Sequence, residues 1–119
     1  MRSSRLALAN ILVAAGAFGV AAMMAVMQAL SRASVTLPER TPKIFYLSVT
    51  AHGVLMALVF TTFFIMGFGY AVVHRESGRI RWPGLSTAAF WLAVAGTVAA
   101  AVPILTFKAS VLYTFYPPL

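Results

Sequence analysis

The sequence lacks cysteine altogether and contains little charge. With no cysteine among its 119 residues, the chain has no disulfide, thiolate nucleophile, cysteine-ligated zinc site or iron–sulfur cluster. Charged residues make up 9% of the chain, against about 25% in an ordinary soluble domain. Since 61% of the residues are hydrophobic, a soluble fold of this size would leave too much apolar surface in water. These deficits indicate a membrane protein.

Acidic residues are also scarce, with two against nine basic residues, so the net charge is +7. Such a balance can indicate a nucleic-acid partner. Here, however, every basic residue lies outside or at the end of an apolar run, and no basic stripe exists that could follow a phosphate backbone. The pattern is that of membrane-protein loops. The basic residues are Arg2, Arg5, Arg32, Arg40, Lys43, Arg75, Arg79, Arg81 and Lys108.

Three long segments contain no Lys, Arg, Asp or Glu, and each exceeds the roughly 20 residues that cross a bilayer. They are Leu6–Leu30, Ile44–Val73 and Trp82–Phe107. The breaks between them, Ser31–Lys43 and His74–Gly84, each contain four charges together with proline, which is typical of loops. The sequence therefore predicts an all-α, polytopic membrane domain over residues 1–119, with three transmembrane helices.

The first span follows a basic start, Arg2 and Arg5, as a signal peptide would. Its 25 residues exceed the roughly 7–15 of a signal-peptide core, so we expect a retained helix. Lys and Arg in short loops favour the cytoplasmic side. A cytoplasmic N-terminus places five of them inside and four outside, and we predict that orientation.

Small residues spaced four apart predict close approach of the helices. The pairs are Ala15 and Gly19, Ala17 and Ala21, and Ala21 and Ala25 in the first span, and Gly96 and Ala100 in the third. Pro103 lies inside the third span, where we expect it to kink the helix.

The stretch "SVTAHGVLMALVF", Ser48–Phe60, contains the one side chain of the second span that titrates near neutral pH, His52. Ionisable residues inside a membrane usually face the bundle interior and mark a function. Three roles are open for His52: ligation of a metal or haem iron, a structural hydrogen bond, or a proton relay. Its helical face is apolar, which suits a porphyrin edge and ordinary packing equally. The residues predicted on that face are Phe45, Ser48, Val49, Leu55, Met56 and Val59.

The second histidine, His74, lies 22 residues after His52, roughly 33 Å along a continuous helix. The two therefore cannot ligate one haem from the same helix. His74 is interpreted as an interfacial loop residue, and a haem with two histidine ligands would need its second ligand from elsewhere.

The stretch "TAHGVLMALVFTTFF", Thr50–Phe64, resembles the second helix of subunit I of the haem–copper oxygen reductases (cytochrome c oxidases), especially the B-type branch. "MQAL" at Met27–Leu30 and "ASVLYTFYPPL" at Ala109–Leu119 fit the same family, with the third span between them. The resemblance covers most of the chain from about Met27, and the pairing of TxHGVL with YTFYPPL is specific. Because the family's subunit I has twelve or more helices, the chain is interpreted as an N-terminal fragment of a larger bundle.

The resemblance implies that His52 is an axial ligand of the low-spin haem, with its partner histidine on a later helix outside this chain. It also implies a high-spin haem and copper in the full subunit, whose histidine ligands this chain of two histidines does not supply. We therefore expect no catalytic residue here, and an inactive segment on its own. Met56 stands where many relatives have Asn, so the hydrogen bonding near the haem would differ. Tyr113 and Tyr116 are interpreted as interface anchors, or as lining the haem region or an oxygen path.

The implied function is that of a terminal respiratory oxidase in the cell inner (plasma) membrane, which reduces oxygen to water with electrons from cytochrome c and translocates protons. Its implied partners are the remainder of subunit I, a copper-bearing subunit II, cytochrome c and lipid, with no nucleic acid. Two alternatives remain. One is a small b-type membrane cytochrome whose two copies share a haem through His52, and the other is a non-enzymatic three-helix accessory subunit.

Overall fold

The computed structural model describes residues 3–33, 42–106 and 108, and every regular element in that part of the chain is helical. The first and last helices are α1 (Ser3–Arg32) and α4 (Pro83–Leu105). Between them lie α2 (Pro42–Val54), a π-helix π1 (Leu55–Phe60) and α3 (Thr61–Ser77), which join end to end as the second span. Three helices, Ser3–Arg32, Ile44–Ser77 and Pro83–Leu105, are long and apolar enough to cross a membrane. The predicted all-α, three-span architecture is confirmed.

The predicted bounds of the loop His74–Gly84 were wrong at both ends. The helix α3 continues to Ser77, so His74 lies in its last turn. Gly78, with φ 67°, ends the helix in the left-handed conformation that glycine adopts freely, and its N–H donates to the His74 carbonyl oxygen at 2.9 Å. The helix α4 begins at Pro83. The first N–H groups of a helix have no acceptor within it, so proline, which has no N–H, costs no hydrogen bond there. Tyr113, Tyr116 and the YTFYPPL segment lie outside the described residues.

The helix α1 packs antiparallel against the second span. Phe18 of α1 contacts Phe60 of π1, with ring centroids 5.4 Å apart. Nearer the N-terminus of α1, Gly67 of α3 lies against the buried Asn10: a Cβ on Gly67 would come within 2.8 Å of Ile11 Cδ1 and 3.0 Å of Asn10 Cβ. Glycine therefore allows a close approach between these helices at this position.

The small-residue prediction is confirmed for one pair of α1, and it is wrong for another pair of α1 and for the exposed Gly96 and Ala100 of α4. Ala17 and Ala21 are both buried in α1. Ala15 and Gly19 are exposed, and a Cβ on Gly19 would meet nothing within 4 Å, so this pair makes no close contact within the described structure. A helix buries one side only, and these two pairs lie on different sides of α1.

The helix α4 joins the core through aromatic and aliphatic side chains, among them Phe90, Ala93 and Val94. Phe90 packs edge-on against Phe63 of α3, with ring centroids 6.0 Å apart. Pro103 lies near the end of α4, which stops at Leu105, and a kink there stays a prediction. The buried core cluster consists of Leu6, Ala14, Ala17, Val59, Phe63 and Phe90.

Candidate functional site

His52 lies near the end of α2, and its half-buried side chain crosses to α1. Its Nδ1 atom is 2.8 Å from the backbone carbonyl oxygen of Ala21. Because a carbonyl oxygen only accepts, Nδ1 carries the proton and donates it. With the proton on Nδ1, the neutral form of the ring has its lone pair on Nε2, and Nε2 has no hydrogen-bond partner among the described residues. A fixed ring with a free Nε2 is the arrangement that a metal-ligating histidine requires.

The approach of the two helices makes this hydrogen bond possible. Ala21 is fully buried, and its methyl group leaves the α1 backbone open to the imidazole. A second hydrogen bond joins the helices at Ser48, which lies one turn before His52. The side-chain amide of Gln28 in α1 donates from Nε2 to the Ser48 carbonyl oxygen at 3.1 Å. The Ser48 hydroxyl in turn donates to the Phe45 carbonyl oxygen at 2.7 Å. Two hydrogen bonds from side chains to the facing backbone thus fix the register of α1 and α2 beside the imidazole.

The π-helix π1 starts three residues after His52 and was not predicted. Its sequence, LMALVF, consists of ordinary apolar residues and gives no signal for a wider turn. π-Helical turns are rare and occur frequently at functional sites. Thr61, which follows π1, donates its hydroxyl hydrogen to the Ala57 carbonyl oxygen at 2.5 Å. A polar side chain therefore satisfies one carbonyl group of the distorted segment.

The π-helix also corrects the predicted face of His52. That face assumed α-helical spacing as far as Val59, whereas the wider π turn rotates the side chains beyond Leu55 relative to the imidazole. Val59 is buried in the core and lines the clefts toward α4. The residues before π1 keep the α spacing, and of these Ser48 is buried and Val49 half-buried.

An apolar cleft of about 200 Å³ lies between α1, the second span and the C-terminal half of α4. Ala51 and Leu55, on either side of His52 in sequence, line it together with Met24 and Thr97. This volume falls below the roughly 300–1,000 Å³ of a site that encloses a small-molecule ligand. His52 itself is not among the residues that line this cleft. The described residues thus offer a haem the Nε2 atom of His52 and, beside it in sequence, an apolar surface at Ala51 and Leu55, and they do not enclose it.

The structure does not bring the two histidines together. His74 lies in the last turn of α3, at the other end of the same span, and its Nδ1 is hydrogen-bonded to the Ser3 hydroxyl at 2.7 Å. Within residues 3–33, 42–106 and 108, no three histidine, cysteine or carboxylate side chains converge as a metal site. His52 is thus a candidate ligand on its own.

Two comparisons with known proteins bear on this site. The family model described as "Cytochrome C and Quinol oxidase polypeptide I" matches residues 5–119. Cytochrome c oxidase subunit 1 of Thermus thermophilus is 44% identical over 75 residues, which are 63% of this chain and 13% of that relative. The chain thus spans a small part of the length of the curated relative it matches. No solved structure matches it.

Proposed function

Because the chain belongs to the cytochrome c and quinol oxidase polypeptide I family, we propose that it forms part of the catalytic subunit of a terminal oxidase that reduces oxygen to water. It is an integral membrane protein, with three helices able to span a bilayer. The proposal includes the B-type branch, cytochrome c as electron donor, proton translocation, and a cytoplasmic N-terminus in the cell inner membrane. The name of the Thermus relative supports cytochrome c as the donor, and the distribution of Lys and Arg between the loops supports the orientation.

Within this subunit, we assign His52 as an axial ligand of the low-spin haem, and one observation carries the assignment. The Nδ1–H group is already committed to the Ala21 carbonyl oxygen, so Nε2 presents its lone pair in a fixed direction. The hydrogen bond also raises the basicity of the ring and makes it a better ligand. A haem with two strong axial nitrogens carries electrons and has no open position for oxygen. Ala21 holds the ring, and His52 supplies the ligand atom.

The rest of the oxidase site lies outside these helices in this proposal. The second axial histidine, the high-spin haem and copper belong to the remainder of subunit I, and a copper-bearing subunit II delivers the electrons. The three helices then form the N-terminal part of a larger membrane bundle over residues 1–119. The exposed apolar face of α4, which includes Trp91 and Leu92, supports this because helices of a bundle can cover it.

An accessory three-helix subunit is the competing hypothesis, and the same hydrogen bond is compatible with it. In that case His52 only ties the second span to α1 and holds no haem. The two hypotheses differ in Nε2, which must bind iron in the first and has no such role in the second.

The deciding experiment compares the two histidines of the chain in the full membrane complex. We expect His52→Ala to remove the low-spin haem band from the reduced-minus-oxidised spectrum and to lower the haem content by one per complex. His74→Ala, the matched control, changes the same residue type at the far end of the span and should keep both. An unchanged haem band in His52→Ala, with normal assembly, would overturn the ligand assignment.

A further inference from the structure

A second cleft, far from His52, lies at the end of the molecule where α1 starts, α3 ends and α4 starts. Its volume is about 940 Å³. We name it the loop-side cleft, and its polar lining residues are Ser3, Ser4, His74, Ser77, Arg79 and Arg81. We propose that this cleft binds the phosphate of an anionic lipid headgroup.

The charge and hydrogen-bonding groups of the loop-side cleft match a phosphate. Arg79 and Arg81 supply two guanidinium groups, each with several donors suited to a phosphate's oxygens. The serine hydroxyl groups add further donors. Glu76, the acidic residue nearest in sequence, is exposed and is not among the described residues that line the cleft. The cleft therefore combines positive charge with donors and lacks a competing carboxylate along its described wall.

The walls of the loop-side cleft are held by contacts within the chain. The 2.7 Å hydrogen bond between Ser3 Oγ and His74 Nδ1 ties the first turn of α1 to the last turn of α3. Gly78, with its left-handed φ of 67°, turns the chain at the end of α3, so that Arg79 and Arg81 border the cleft. The first backbone N–H groups of α1 lie at this same end and favour an anion there. The donors are thus arranged by the fold.

The position of the loop-side cleft favours a lipid as the source of the phosphate. It lies at the ends of three membrane-spanning helices, the level at which lipid headgroups lie. Trp82, which is 65% exposed, marks the interface, and Arg81 Cζ lies 6.0 Å from the centroid of its ring. Val73 and Ile80 add apolar lining beside the polar groups. A phosphate attached to an apolar tail satisfies both kinds of lining. Basic pockets between membrane helices bind lipid headgroups in this way.

The test measures which lipid the intact membrane complex retains in native mass spectrometry, from an equal mixture of phosphatidylglycerol and phosphatidylcholine. We expect wild type to retain phosphatidylglycerol, and R79Q/R81Q to lose about 25-fold in retention, because each basic group near an anionic lipid contributes roughly five-fold in affinity. R5Q/R75Q is the matched control: it removes two exposed charges at the same end of the bundle, neither lining the cleft, and should behave as wild type.

Three results would overturn the proposal. Equal losses in R79Q/R81Q and R5Q/R75Q would indicate general attraction to basic loops. Equal retention of phosphatidylcholine by wild type would show that the anionic headgroup is not recognised. Complete displacement of the lipid by inorganic phosphate, with phosphate retained instead, would identify a free-phosphate site.

A second measurement on the wild-type complex does not depend on the folding of any variant. A photoactivatable phosphatidylglycerol should crosslink within residues 3–4 or 73–83, which line the cleft, and labelling confined to other segments would contradict the proposal. This outcome is independent of haem binding at His52, so the two proposals stand or fall separately.

Discussion

The second span meets its two neighbours through different chemistry. Against α1 it makes hydrogen bonds, including those between His52 and Ala21 and between Gln28 and Ser48. Against α4 it makes apolar contact, with a cleft of about 230 Å³ between them and another of about 200 Å³ that α1 also lines. In a membrane, apolar side chains gain little by leaving lipid for one another, so small residues and polar groups determine which helices pair. The small residues and hydrogen bonds therefore specify the pairing of α1 with the second span.

The burial of the helices follows the same division. In an apolar 18-residue window of each span, 33% of the residues are buried in α1, 17% in the second span and 11% in α4. The pair formed by α1 and the second span orients His52 without help from α4. The helix α4 instead presents apolar residues outward, in keeping with the proposed larger bundle. We therefore predict that substitutions of small residues lower the stability of the chain more at the contact with α1 than at the contact with α4.

The largest effect is expected at Gly67. A Cβ there would already come within 3.0 Å of Ile11 and Asn10 atoms in α1, so Gly67→Leu must push the helices apart. We expect a loss of about 3 kcal/mol in the free energy of unfolding, at the upper end for an overpacked site. Thermal unfolding in lipid nanodiscs, followed by circular dichroism, measures it. Gly69→Leu is the control on the same helix, since nothing lies within 4 Å of a Cβ there. Similar losses at both positions would show that the α1 contact is not close.

An intermediate effect is expected at Ala21, where the close approach also orients His52. The leucine side chain of Ala21→Leu would displace α2 and lengthen the bond from Nδ1 to the carbonyl oxygen, with a loss of about 1–2 kcal/mol in stability. Solid-state NMR of ¹⁵N-labelled histidine should show a protonated Nδ1 for His52 in the wild-type chain, and a changed signal in the variant. Ala15→Leu alters an exposed position of α1 and should leave both readouts unchanged. An unaltered His52 signal in Ala21→Leu would mean that the α1 backbone does not hold the ring.

The sequence predicted the three spans because length and lack of charge decide whether a helix can cross a bilayer. It also identified His52, since an ionisable residue in an uncharged run stands out by composition alone. The partner of His52 was not predicted, because Ala21 contributes a backbone carbonyl that every residue has. The π-helix escaped prediction for a related reason: LMALVF favours any helix, and packing selects the wider turn.

Helix ends were the weaker part of the prediction. The charges that follow Val73 indicated a loop, yet backbone hydrogen bonding continues to Gly78, where the chain adopts a positive φ. His74, which the sequence placed in a loop, therefore lies in the helix, where its side chain is hydrogen-bonded to Ser3. Charge reports where a helix leaves the membrane, whereas glycine and proline report where it ends.

The smallest effect is expected on the α4 side, at Gly96. This residue lines the 230 Å³ cleft, and a Cβ there would meet nothing within 4 Å. Gly96→Ala should leave the stability of the chain in nanodiscs unchanged, or raise it by up to about 1 kcal/mol, because alanine favours a helix over glycine. The same unfolding measurement as for Gly67 checks it. If Gly96→Ala instead lost as much stability as Gly67→Leu, α4 would be held by a close backbone contact of its own. The contrast between the close pairing of α1 with the second span and the looser packing of α4 would then be wrong.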